Sequence, residues 1–270
     1  VISQGRVPVV TGFQGITENG YFTTLGRGGS DTTASILGVM LDAERIEIYT
    51  DVDGVMTADP RIVKSASVID IISYDEVFQL ADQGSKVIHP RAVEYAREGN
   101  IPIMIKNTLN DTIGTLINSV GDRKRRRLIT SITNHDDRIQ VTINLDDNKG
   151  NDRYNDVLEI LAANKISLDL INIFPRQQVF TISKAAKDIV KDIFGKLDLK
   201  YTLIDNCSTI ALVGAGMKGI PGVMAKIYKT LSESNIEVLQ TADSHMTIWC
   251  LIHTENLEKA INALHKAFKL

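Results

Sequence analysis

The sequence predicts an α/β protein in two parts: a mainly parallel sheet layered with helices over residues 1–119, then two smaller βαββαβ modules over residues 135–270. Three observations carry that expectation. Short apolar strand patterns alternate with helical ones between Val7 and Ile117, the signature of a parallel sheet crossed by helices. A dense charge run, Asp122 to Arg127, then interrupts the pattern. Beyond it the set Leu158, Leu161, Ile166, Leu168 returns as Tyr228, Leu231, Ile236, Val238, each 70 residues on, so a helix–strand unit occurs twice.

Composition narrows the function. With 270 residues, 43% hydrophobic and 23% charged, the chain is globular and long enough for two or three domains. A formal net charge of −3 gives no electrostatic case for nucleic acid, and no apolar run reaches the roughly 18 residues of a membrane span. Cys207 and Cys250 lie far apart without metal-ligand spacing and read as core hydrophobes of a protein in a reducing, cytoplasmic compartment. The chain opens on Val1 with no leader-like segment, as though it began within a longer protein.

In chain order, Val7 to Val10 reads as a buried strand delivering its end to a glycine-rich turn. After a polar hairpin at Glu18–Gly20 comes Thr24 to Asp31, TLGRGGSD, and then an apolar helix over 32–43 expected to be buried on most sides. Glycines let backbone N–H groups approach an anion, and a helix start adds positive partial charge. Arg27 suits bidentate capture of a carboxylate. Asp31 can take an ammonium group or serve as a favourable charge at a helix start. Ile46, Ile48 and Thr50 alternate in a strand that ends at Asp51, Val52, Asp53, Gly54, with Asp59 and Arg61 beyond, a density of charge that suits a polyanion with Mg²⁺ nearby. Ser73 and Glu76 form a capping box for a helix over 74–83, Pro90 starts a helix that Gly99 stops, and Ile101 to Ile105 is the returning strand. Between these helices Lys86 is placed to reach a phosphate, while His89 reads as structural.

Taken together, TLGRGGSDTTA, YTDVDGVMTADPR, GSKVIHPRAVEYA and the closing GTLI at Gly114–Ile117 resemble aspartokinase, in order and at family-like spacing. The resemblance implies the C-terminal part of an amino-acid kinase fold, ATP as co-substrate with Mg²⁺, and transfer of phosphate to the side-chain carboxylate of L-aspartate in amino-acid biosynthesis. It places aspartate contacts on Arg27, Ser30 and Asp31, with Arg27 and Asp31 as the catalytic pair, and ATP contacts on Thr50, Asp51, Arg61, Lys86 and Val87. Met56 stands where some members carry an ATP-contacting tyrosine. The lysine-bearing KFGG segment of the family is absent, so the resemblance implies half of an active site and a chain inactive alone.

Residues 120–127 are expected to be a solvated linker. The repeated units, 135–205 and 206–270, read as ferredoxin-like modules, the second lacking its last strand; the apolar stretch 128–134 is expected to supply it, so that the first module is inserted in the second. Such pairs resemble ACT domains, the amino-acid sensors of the family, which implies feedback control and a homodimer or higher oligomer. The resemblance puts effector contacts on Asp147, Gly150, Asp152, Tyr154, Ser167, Leu168 and Asp169, with Ile173 and Phe174 beside them. The second half looks most similar to Bacillus-type, diaminopimelate-sensitive enzymes, so lysine or diaminopimelate is the expected effector. A rival reading is a non-catalytic amino-acid-sensing subunit, which has no need of intact GRGGSD and TDVDGV motifs; a glutamate kinase leaves the paired modules unexplained.

Overall fold

The computed structural model describes residues 2–85, 87–122, 127–144, 152–197, 199–217 and 219–270, with Ile2 and residues 152–156 described by backbone alone. They form two units: Val1–Ser131 with Val213–Gly216 and Leu270, and Ile132–Leu212 with Met217–Lys269.

The first unit contains β1 (Gln14–Ile16), β2 (Phe22–Thr24), α1 (Gly29–Met40), β3 (Ile46–Thr50), β4 (Ile71–Ser73), α2 (Tyr74–Asp82), α3 (Pro90–Glu98), β5 (Ile103–Asn107) and β6 (Thr115–Asn118). β1 and β2 make the expected hairpin. The main sheet runs β3-β5-β6-β4; β3 pairs with β5 and β4 with β6 in parallel, β5 with β6 antiparallel. Ile46, Ile48, Ile103, Ile105 and Ile117 from the sheet bury against Val77 and Leu80 of α2 and Ala92, Val93 and Ala96 of α3.

Three sequence expectations need correction here. Val7 to Val10 form no strand and are exposed, Val9 by 96%, because no described segment offers them a hydrogen-bonding edge. The helix after the glycine loop starts at Gly29, and its buried positions are the small residues Gly29, Thr32, Ser35 and Gly38, whereas Met40 and Leu41 are exposed. Small side chains let α1 approach α3 and Ile46 closely; bulk on that face would hold them apart. The returning strand begins at Ile103, two residues later than its apolar pattern, since Ile101 is buried in the turn out of α3.

Glu76 does more than the capping box asks. Its Oε2 accepts from the Ser73 hydroxyl at 2.6 Å and the Ser73 N–H at 3.2 Å, while Oε1 accepts from the Thr130 hydroxyl at 2.6 Å and the Ala215 N–H at 3.1 Å. Only 6% of the residue is exposed. Segments 128–131 and 213–216 are thereby bound into the first unit, with Val213 in its core. A Cβ on Gly214 would lie 2.3 Å from the Leu128 carbonyl oxygen, so only glycine permits this approach.

The second unit is built from β7 (Ser131–Asn144), α4 (Asp152–Ala163), β8 (Asp169–Phe174), β9 (Gln177–Ser183), α5 (Lys187–Lys196), β10 (Tyr201–Val213), α6 (Val223–Glu233), β11 (Gln240–Asp243), β12 (Thr247–His253) and α7 (Leu257–Phe268). Its six-stranded sheet has the order β11-β12-β10-β7-β9-β8. β7 and β10 run antiparallel: the Thr130 N–H meets the Val213 carbonyl at one end, and the Asn144 N–H meets the Lys200 carbonyl at the other. The expected boundaries 134/135 and 205/206 thus fall inside continuous strands. Asp137 (φ 58°) and Asn206 (φ 54°) sit near those points in the left-handed region, which Asp and Asn tolerate best and which interrupts regular pleating.

The repeat is real but one pair is misassigned. Leu161 and Leu231, and Ile166 and Ile236, are buried as expected; at the first position Tyr228 is 59% exposed, and the buried pair is Val157 and Ile227, one residue earlier at the same offset of 70. Both cysteines are buried and free. On other positions of the sheet, Gln140 Nε2 donates to Gln240 Oε1 at 3.1 Å, and Gln240 Nε2 donates to Asn172 Oδ1 at 2.7 Å and to the Leu170 carbonyl, a polar bridge linking β7, β11 and β8.

Candidate functional site

The glycine loop is shaped by its backbone. Gly28, at φ 70° and ψ 15°, is the residue from which α1 starts, and Gly26 (φ 79°) also lies in the left-handed region. The Thr32 and Thr33 hydroxyls donate back to the Gly28 and Gly29 carbonyls at 2.9 and 2.8 Å, and Thr33 Oγ1 accepts from the Phe13 N–H at 3.2 Å. Arg27 and Ser30 are exposed at the head of the helix. Asp31, in the first turn, is half-buried; burial pushes its carboxyl above the ordinary range, and the adjoining His89 opposes that rise.

His89 also caps α3, its Nδ1 accepting from the Arg91 N–H at 3.3 Å with Pro90 at the first helical position. The segment that carries Val87 meets the glycine loop at Gly28, against whose backbone the His89 side chain lies. Val87 packs against the main core. Lys86 lies outside the described residues.

At the end of β3, Thr50 Oγ1 donates to Asp51 Oδ1 at 3.2 Å, and Asp51 is exposed. The Thr108 N–H donates to the Thr50 carbonyl at 2.8 Å, tying the loop after β5 to this strand end. Asp53 accepts from Asn110 Nδ2 at 2.9 Å and Asn107 Nδ2 at 2.7 Å, which holds its carboxyl below the usual carboxylate range. Arg61 is gripped by Asp59, with Nε–Oδ1 at 3.0 Å and Nη2–Oδ2 at 2.6 Å, yet its side chain is 86% exposed. That pair keeps the guanidinium in one orientation with N–H groups to spare for an anion. Among the described residues no three His, Cys, Asp or Glu side chains converge as a metal site. The exposed Asp51 fits Mg²⁺ only in the way a phosphate-bound Mg²⁺ is held, through one or two carboxylates, because Asp53 and Asp59 are already engaged.

Sequence reasoning missed the grip of Asp59 on Arg61, the bonds of Asn107 and Asn110 to Asp53, and the contact of His89 with Gly28. Asn107 ends β5 and Asn110 follows it, opposite the Thr50 end of β3, so their meeting with Asp53 was readable only once that pairing was known.

In the second unit Asp169 forms an ion pair with Arg138 at 2.9 Å, and its carbonyl accepts from the buried Thr181 hydroxyl at 3.1 Å. Ser167 is exposed, Leu168 half-buried, and Ile173 and Phe174 are 64% and 52% exposed on β8, at one end of the sheet order. Asp152 and Tyr154 lie in α4 with only their backbone described, and Asp147 and Gly150 lie outside the described residues. No helix among the described residues is long and apolar enough to cross a membrane.

Residues 1–107 match the amino acid kinase family and residues 202–266 the ACT domain. Aspartokinase 1 of Bacillus subtilis (strain 168) is 42% identical over 275 residues, spanning 100% of this chain and 68% of that protein. The crystal structure of Clostridium acetobutylicum aspartate kinase aligns with a TM-score of 0.86 at 30% identity, covering 95% of this chain and 62% of that one. E. coli aspartokinase III in complex with aspartate and ADP (R-state) aligns with a TM-score of 0.77 at 28% identity, over 96% of this chain and 60% of that one. The same enzyme in complex with lysine and aspartate (T-state) aligns at 0.76, with 28% identity, over 95% and 59%. This chain thus spans about two thirds or less of the relatives it matches, and it belongs to the aspartokinase family, joining an amino acid kinase region to ACT regulatory structure.

Proposed function

We propose that the protein takes part in the aspartate kinase reaction, ATP + L-aspartate giving 4-phospho-L-aspartate and ADP. The observation that carries this reading is the head of α1, where an exposed arginine, backbone N–H groups and a half-buried carboxylate stand within five residues. In this reading Arg27 and the helix start hold the α-carboxylate, the Ser30 hydroxyl adds a hydrogen bond, and Asp31 takes the α-ammonium, leaving the side-chain carboxylate free to react. That carboxylate is ionised at neutral pH and needs no general base. One of its oxygens bonds to the γ-phosphorus, the bond to the β–γ bridging oxygen breaks, and ADP leaves with that electron pair. The protein's work is positioning and charge neutralisation.

Thr50, Asp51, Arg61, Lys86 and Val87 are the proposed ATP contacts. Mg²⁺ arrives as part of the nucleotide complex, and Asp51 is the carboxylate proposed to meet it. The complex of E. coli aspartokinase III with aspartate and ADP supports the choice of substrates.

Feedback control by lysine or diaminopimelate is proposed for the first repeat, with contacts at Asp147, Gly150, Asp152, Tyr154, Ser167, Leu168 and Asp169; the effector ammonium would compete with Arg138 for Asp169. A homodimer or larger oligomer through the ACT structure and a cytoplasmic location complete the reading, the latter supported by two buried free thiols. No nucleic-acid or membrane partner is proposed.

The test is aspartate-dependent ADP release by the protein in its complete reading frame. Arg27→Ala and Asp31→Ala are each expected to raise KM for aspartate roughly tenfold or more with KM for ATP little changed. Absence of aspartate-dependent ADP release from wild type overturns the reading.

A further inference from the structure

The imidazole of His89 is more than helix capping requires. Ser, Thr, Asn and Asp are the preferred N-cap residues, and the hydrogen bond from the Arg91 N–H at 3.3 Å is one any of them can accept. Yet its side chain sits against the backbone of Gly28: a Cβ there would fall 2.3 Å from His89 Cβ, 2.4 Å from Cγ and 2.5 Å from Cδ2. Gly28 is the left-handed N-cap of α1, so His89 touches the point that sets the direction of the whole glycine loop. His89 also lies close enough to Asp31 to oppose the rise that burial gives that carboxyl. Two helix starts, α1 and α3, therefore meet at one histidine, and α1 and α3 are in extensive contact.

We propose that His89 is a positioning residue for the aspartate-holding loop: its ring fixes the backbone at Gly28, from which Ser30 and Asp31 follow in the first turn of α1. It touches no substrate in this account. The ring blocks Gly28 from relaxing towards α3, so Arg27, Ser30 and Asp31 keep one relative geometry before aspartate arrives. The inference rests on the reading that this loop holds aspartate.

The informative variant is His89→Asn in the complete reading frame, because asparagine retains an N-cap acceptor and the same main-chain N–H but removes the ring. The expected result is a KM for aspartate raised roughly fivefold to tenfold, with KM for ATP within about twofold and a melting temperature close to wild type. Gly28→Ala, which drives a methyl group into the ring at a positive φ, is expected to raise the same KM selectively. An unchanged KM for aspartate in His89→Asn, or an equal rise in both KM values, overturns the proposal, as does a loss confined to thermal stability. Wild type without aspartate turnover would defeat the functional reading alone. The loop contact is then judged by amide hydrogen exchange at Gly29 to Asp31, which His89→Asn should accelerate; unchanged exchange overturns it.

Discussion

Replacing Glu76 with alanine removes an acceptor that four donors share. The Ser73 and Thr130 hydroxyls can rotate to other acceptors, but the Ser73 and Ala215 backbone N–H groups cannot, and both are left facing a buried gap. An orphaned buried donor costs about 1–3 kcal/mol, and the hydrogen bonds lost are to a charged group. Because both donors belong to one cluster their costs do not simply add, and a total of about 2–4 kcal/mol is expected. For a unit of this size that corresponds to a melting shift of roughly 5–15 °C. The assay is thermal unfolding of Glu76→Ala, followed by far-UV circular dichroism with separate transitions allowed for the two units, alongside hydrogen exchange at Ala215. Glu76→Gln keeps one acceptor oxygen but turns an NH₂ towards donors, and should fall between wild type and alanine. A melting shift below about 1 °C with unchanged exchange at Ala215 would refute the account of Glu76 as a shared anchor.

Asp31→Asn separates stability from turnover. Because burial raises the native carboxyl above its unfolded value of 3.8, the folded state binds the proton more tightly, and Asp31 lowers stability as pH rises through the interval between 3.8 and the native value. Asparagine should therefore raise the melting temperature at neutral pH, give no gain below pH 3.8, and still lose aspartate-dependent activity; a lower melting temperature at neutral pH contradicts this. Burial pushes the Cys250 thiol up to about 12 and raises that of Cys207. Both should resist alkylation in the native protein at pH 7.5 and label fully in denaturant, and rapid native labelling of either would show that its burial is wrong.

The elements legible in the sequence were those stated locally. Ser73 with Glu76, Pro90 and Gly99 each sit within a turn of the helix end they define, and the structure keeps all three. What the sequence does not state is who else uses a residue: the second oxygen of Glu76 serves Thr130 and Ala215, 54 and 139 residues away. Asp136–Asp137 and Asp205–Asn206 look like turns, but a single left-handed residue lets each strand continue, so the apparent boundaries vanish into β7 and β10. At the site, Asp31 and Arg27 were readable as candidates because they form a charged pair beside glycines at a helix start. His89 was not, because its contact is with the backbone of a glycine far away along the chain.

The distance along the chain between Glu76 and Ala215 also sets a clock. A ribosome making about 5–20 residues per second needs roughly 7–28 s to travel the 139 residues between them. Throughout that interval α2 is made and its capping box can close, but Val213 and the Ala215 N–H have not been synthesised. The first unit is therefore obliged to wait, part-built, while β7, α4, β8, β9 and α5 emerge. A nascent chain stalled shortly before residue 213 should be cleaved around α2 by a protease that spares the released protein.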